Sequence, residues 1–297
     1  MQIEAIKAYE VLDSRGHPTI EVCIKLKDGT TSTAQAPAGA SKGKYEALEI
    51  RDEDNKRFFG KGLLKVKDII NNKIAKELIG KDVTKQIEID KLLIDLDGTA
   101  NKSNLGANST IAISLAVCKA ASSYLKLPLY KYIQNLQGLN HIEYILPIPL
   151  LNIINGGLHA QNELDIQEFM IIPVNFGSFF EAIRASSEVY YHLKNRLKNS
   201  GFLTNVGDEG GFAPNFKYTK QAIEYIIFAI QDAGYKEGRD IYLGLDVAAS
   251  ELYDEEKKIY KLDNKELDTS GMIDFYQDLI KNYPIISIED GLSEEDF

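Results

Sequence analysis

Apolar and polar residues alternate through "TIEVCIKLKDGTTSTAQA", with Ile20, Val22, Ile24 and Leu26 on one side of a period-two pattern and Asp28-Gly29 after them. Alternation closed by such a pair predicts a β-hairpin. Leu63, Val66, Ile70 and Ile74 recur at helical spacing up to Gly80, and a helix of small residues is predicted from near Asn108 to about Leu125. Residues 1–140 therefore read as a few strands followed by helices, an α+β domain.

The pattern changes after "LYKYIQNLQGLNHIEY". Residues 145–154 and 169–174 predict strands, while Ala182, Ser186, Val189, Leu193 and Leu197 form one helical face and Ile223, Ile227 and Ile230 another. "IYLGLDVA" reads as a buried strand, residues 272–283 as a helix and "IISIED" as the next strand. Strands alternating with helices predict an α/β architecture with a parallel sheet or barrel over residues 141–297. In such folds reacting groups collect at the carboxyl ends of the strands. Acids fall there: Glu168 with Asp165 near the second strand, Asp246 ending "YLGLD", and Glu289 with Asp290 ending "IISIED".

Charge and composition narrow the class. With 44 acidic against 34 basic residues the net charge is −10, which repels nucleic-acid phosphate and anionic membrane surfaces, and no basic patch offsets it. Cys23 and Cys118 have no Cys or His at metal-ligand spacing and read as small core residues. "MQIEAIKAYE" lacks the basic start and apolar run of a secretory signal, and the apolar stretch at 145–154 is interrupted by Pro147 and Pro149. The expectation is a cytoplasmic protein without disulfides, membrane span or nucleic-acid partner.

Four stretches carry candidate chemistry. Asp246 and Glu289, each at a strand end, offer hard oxygen ligands of the kind Mg²⁺ prefers; acids so placed serve equally as helix N-caps. The glycine-dense "VGDEGGFAPN" either aims Asp208 and Glu209 inward or is an ordinary surface turn. It is neither a Walker loop nor a dinucleotide fingerprint. In "INGGLHAQNELDIQEFM" His159 follows a double glycine on a loop, although a lone histidine is more often structural than catalytic. "APAGASKGKYEALEIRD" places Ser41 between Gly39 and Gly43 in a second flexible loop, which taken singly is a linker.

Together these stretches resemble the enolase family, the phosphopyruvate hydratases. "LDSRGHPTIEV", "EALEIRD", "FGKG", "LIGKD", "DLDGTANKS", "LGAN", "NIINGG", "DIQEFM", "VGDEGG", "LDVAAS" and "SIEDGL" follow one another in the family's order across the whole chain. The resemblance implies an N-terminal α+β domain over residues 1–140 and, over 141–297, an incomplete enolase-type (β/α)8 barrel, about its first half. It implies the reversible, Mg²⁺-dependent dehydration of 2-phosphoglycerate to phosphoenolpyruvate in glycolysis, with two Mg²⁺ per site and a homodimer as the basic unit. By position, Asp246 and Glu289 match two of the three carboxylates that hold the first Mg²⁺, and Ser41 the residue that joins the second. Glu209 matches the acid that protonates the leaving hydroxyl and Glu168 the carboxylate that assists it. His159, Gln167 and Glu168 match substrate-contacting positions.

The chemistry explains those residue types. Removing a proton beside an ionised carboxylate builds a doubly charged ene-diolate, against which cations must stand. Hydroxide leaves poorly, so an acid must hand it a proton, and a neighbouring carboxylate such as Glu168 is the like charge that raises an acid's pKa.

The chain departs from the family pattern at Ala38 and Lys42 in the Ser41 loop, where altered closure is expected, and at Gln161, where an acid is common. A full barrel takes about 250 residues, more than 141–297 supply. The third metal carboxylate, the base lysine, the Arg-Ser pair that grips phosphate and a second substrate lysine match no position in this sequence. The polypeptide alone is therefore expected to be inactive or nearly so and poorly soluble. The alternative reading is a non-catalytic remnant that at most binds a partner.

Overall fold

The alternating run at Ile20–Leu26 forms the middle strand of a three-stranded antiparallel sheet, β1 (Ile3–Leu12), β2 (Pro18–Leu26) and β3 (Thr31–Gln35). The structure, a computed structural model, describes residues 1–39, 43–139, 143–207 and 209–297, so Ser41, Lys42 and Asp208 lie outside the described residues. The chain divides into two compact units, Met1–Glu143 and Tyr144–Phe297.

In the first unit Ile20, Val22, Ile24 and Leu26 are fully buried. The predicted turn closes with Leu26 N–H donating to the Thr30 carbonyl at 2.8 Å, Asp28 Oδ1 accepting the Thr30 N–H, and Gly29 at φ +88. The sequence reading missed β1 because a bulge between Ile3 and Ala5 shifts its register against β2, so that Ile3, Ile6 and Ala8 face the core without strict alternation.

The stripe Leu63, Val66, Ile70, Ile74 is buried as expected, but on a helix of mixed winding: α1 (Leu64–Asp68), a π-helical segment (Ile69–Ile74) and α2 (Ala75–Leu78). Val66, Ile70, Ile74 and Leu78 are spaced by four, which drifts round an ordinary α-helix; the wider turn keeps them on one side. Then follow α3 (Gln86–Asp97), α4 (Ala107–Tyr124) and α5 (Leu129–Leu136). Ala112, Ala116 and Ala120 of α4 are fully buried, and their small side chains bring it close enough to the sheet for Ser32 Oγ to donate to the Ala116 carbonyl at 2.8 Å.

The second unit has β4 (Leu151–Asn155), β5 (Glu168–Pro173), α6 (Phe179–Asn199), α7 (Thr219–Asp232), β6 (Ile241–Asp246), a small sheet of β7 (Tyr253–Asp254), β8 (Ile259–Leu262) and β9 (Lys265–Leu267), then α8 (Thr269–Asn282) and β10 (Ile285–Glu289). The main sheet runs β10-β6-β5-β4. Phe169, Ile171, Leu243 and Leu245 on one of its faces share a core with Val189 and Leu193 of α6, Ile223, Ile226 and Ile230 of α7, and Met272 and Leu279 of α8. On α7 the fully packed position is Ile226, while the expected Ile227 is only partly buried.

Two expectations are corrected. The sheet is not all parallel: β10 and β6 run together, but β5 is antiparallel to both β6 and β4. Each helix between strands reverses the chain once, so one helix returns a parallel strand and none or two return an antiparallel one. Only β6 to β10 has one. The strand expected from residue 145 begins at Leu151; Pro147 and Pro149 lack the N–H that a ladder needs, and Ile145 and Leu146 are left exposed. The sheet is open, and no closed barrel is present among the described residues. Nor is any single helix there long and apolar enough to cross a membrane.

Asp97 offers a test of local packing. α3 ends at Gly98, φ +70, and the buried Asp97 carboxylate accepts N–H groups from Leu105 (2.7 Å), Thr99 (2.9 Å) and Asn104 (3.1 Å) and the Thr99 hydroxyl. Burial opposes the charge, but these donors prevail and hold the carboxyl below its usual range. Asp97→Ala should therefore cost about 2 kcal/mol or more at pH 7 in urea denaturation of the metal-free protein. A depressed folded pKa adds stability above the unfolded value near 3.9 that is lost as pH falls through the folded one. The gap between variant and parent should accordingly narrow towards pH 3.

Candidate active site

The antiparallel placement of β5 brings its first residue to the edge where β4, β6 and β10 end. Glu168 thus starts β5 instead of ending a strand as expected. Asn155 pairs with Glu168, Glu168 with Asp246, and Asp246 with Glu289. Cross-strand partners share a face, so four polar side chains form one row on the face opposite the apolar core.

Gln167 and His159 flank the row. Buried Gln167 donates Nε2–H to Asp246 Oδ2 at 3.3 Å, while its Oε1 has no partner. His159 closes a 3₁₀ turn (Gly157–His159) after β4, and its buried Nδ1 lies 3.2 Å from Glu168 Oε1, within ion-pair reach but without hydrogen-bond alignment. Asp246 also accepts the Ala248 N–H on Oδ1 at 3.2 Å while its other oxygen faces Gln167; the 3₁₀ turn that follows, Ala249–Leu252, has no side-chain cap.

Like charges dominate the electrostatics. Burial, followed by Asp246, Glu209 and Glu289, pushes the Glu168 carboxyl up to about 7. Burial and then Asp246 and Asp290 raise Glu289. Asp246 is raised by burial and Asp290, against the N–H of Ala248, Gln167 and His159. Among the described residues the charges acting on Glu168 and Glu289 include no cation. Glu168, expected from the sequence to shift its neighbour, is thus itself raised, together with Asp246 and Glu289.

The structure brings Glu168, Asp246, Glu289, Gln167 and His159 together, with Glu209 close enough to act on Glu168; Ser41 falls outside the described residues. No group of three His, Cys, Asp or Glu among those residues is set to hold a metal ion. Asn155, fully buried with neither amide atom partnered, was not singled out by the sequence. It stands in "NIINGG", and an asparagine before two glycines gives no signal beyond that of a turn.

Comparison with protein families matches residues 3–133 to the enolase N-terminal domain and residues 143–297 to the enolase C-terminal TIM barrel domain.

The raised acid has a measurable cost. A carboxyl whose folded pKa exceeds its unfolded 4.5 costs nothing below that value and destabilises increasingly as pH rises towards 7. In metal-free protein Glu168→Gln should leave stability almost unchanged at pH 4 and raise it at pH 8, by roughly 3 kcal/mol at most. Thermal unfolding in a chelator at both pH values reads this directly; equal effects at the two would contradict it.

Proposed function

The chain belongs to the enolase family, and from that premise we propose that it serves the reversible, Mg²⁺-dependent dehydration of 2-phosphoglycerate to phosphoenolpyruvate, contributing the acid side of the site. The observation that carries this reading is the row Glu168, Asp246, Glu289, three carboxylates placed as neighbours by separate strands, the first two partly buried and the third exposed, and each raised from its usual pKa.

Two residues of the row suit Mg²⁺, which is commonly held by one or two carboxylates plus water. Asp246 and Glu289 are hard oxygen ligands suited to a cation that keeps several waters, Asp246 is among the charges that raise Glu289, and the buried Gln167 Oε1 is without a partner. Asp246 and Glu289 would hold the first ion; Ser41 is assigned to the second on the family resemblance alone. When bound, Mg²⁺ supplies positive charge against the substrate carboxylate as negative charge builds there.

The protein's own groups handle the departing hydroxyl. Glu209 gives its proton to the hydroxyl oxygen, the carbon–oxygen bond breaks and water leaves. The electron pair freed by loss of the neighbouring C–H proton forms the double bond. Glu168, its carboxyl raised to about 7, is protonated in a substantial share of molecules at neutral pH and can return a proton to Glu209 between turnovers. His159 and Gln167 orient the substrate. The base that removes the C–H proton matches no position among these 297 residues. A cytoplasmic homodimer is proposed from family membership only.

Phosphoenolpyruvate formation, followed by ultraviolet absorbance with Mg²⁺ and 2-phosphoglycerate, tests the reading. The protein from its native source should be active and lose activity in chelator, and Glu209→Gln should slow it by about 10² to 10⁴. No product from the native protein would exclude the reaction.

A further inference from the structure

The loop that carries His159 leaves β4 at Gly156 and returns at Leu164, and little apolar burial fixes it: Leu158 and Gln161 are exposed, and Gly157 is left-handed at φ +49. Backbone bonds stitch its two ends, Gly156 N–H donating to the Gln167 carbonyl at 3.0 Å and Gly157 N–H to that of Leu164 at 2.8 Å. The buried Nδ1 of His159, 3.2 Å from Glu168, adds no aligned hydrogen bond. Something else must keep the middle of the loop in place.

The side chain of Asn162 supplies the tie. Its Nδ2 donates to the Asn155 carbonyl at 2.9 Å and to the Pro214 carbonyl at 3.0 Å, while its Oδ1 accepts the Leu164 N–H at 3.3 Å. Asn155 ends β4, and Pro214 follows Phe212, whose N–H donates to Ile153 and whose carbonyl accepts from Asn155, each at 2.9 Å. One amide therefore joins the loop to two segments that are already paired with each other. Two carbonyls can be met only by the NH₂ end, so the partners fix which way the amide points. A further tie, Asn215 Nδ2 to Glu163 Oε1 at 3.3 Å, is exposed.

We propose that Asn162 is a positioning residue, whose side-chain amide pins the 156–164 loop to the end of β4 and so holds His159 beside Glu168. An amide suits this place because it carries two donors on one nitrogen and an acceptor besides, enough for all three backbone partners at once. Serine has one donor where two are used, an ionised aspartate has none, and leucine has neither donor nor acceptor. The task of His159 towards substrate rests on the proposed reaction; the hold on the loop does not, and it can be read without turnover.

The experiment compares Asn162→Leu with the parent protein, metal-free, by hydrogen exchange resolved to single amides. Exchange at Gly157, whose own acceptor is the Leu164 carbonyl, should accelerate about tenfold or more, the size that the loss of two hydrogen bonds allows, while exchange in β6 holds. In protein with ¹⁵N-labelled histidine, Glu168→Gln should shift the His159 ring signals in the parent background and by less than half as much in the Asn162→Leu background. Leucine keeps the branched shape of asparagine, so a side chain that only fills space would leave both readouts as in the parent. Exchange that is unaltered at Gly157, or accelerated evenly across the unit, overturns the proposal, as does an undiminished His159 shift. Should Asn162→Leu fail to fold, Asn162→Ala is read by the same two measurements with the same criteria. Absence of phosphoenolpyruvate formation by the native protein would count against the reaction and leave this assignment standing.

Discussion

Strand direction is the constraint on which the second unit depends. A β-ladder hydrogen-bonds in one register, and that register decides which side chains become neighbours. The direct connection from β4 to β5 and the two helices from β5 to β6 each reverse β5 relative to its neighbours. Its first residue, Glu168, then meets the last residues of the other three strands. With one helix in place of two, Glu168 would stand at the far end of the sheet from Asp246.

The same ladder keeps the charges affordable. Phe169 and Leu245 follow and precede the acids by one residue and point the other way, into the core with α6, α7 and α8. Apolar burial on one face holds the strands in register against like-charge repulsion on the other. Glu168 shows the balance: burial raises its carboxyl first and the neighbouring carboxylates raise it further. A site assembled this way is under electrostatic tension until cations or protons arrive, which is the trade between stability and activity that functional sites commonly show.

Much was legible from one-dimensional pattern. β2, the small-residue helix α4, the helices of the second unit and the strands at Ile241 and Ile285 all follow from hydrophobic period and turn chemistry. β1 was not, because a bulge erased its alternation, and the apolar run from Ile145 conceals a strand that starts only at Leu151, because Pro147 and Pro149 cannot donate to a ladder. At the site, the acids and His159 drew notice as motif residues. Asn155 did not, since what distinguishes it is burial without partners, a property of surroundings and not of residue type.

The amino-acid sequence by itself determined which segments are apolar on one face, where the acids and glycines fall, and, through the length and order of its motifs, the enolase family. Those are properties of near neighbours along the chain. Tertiary structure alone decided that Asn155, Glu168, Asp246 and Glu289 form a single row, that Glu168 is the acid pushed up towards neutrality, and that Gly207 and Gly211 lie against an asparagine. Each of these depends on residues from separate strands being brought within a few ångströms, and that distance is set by strand direction and register, which no local period records.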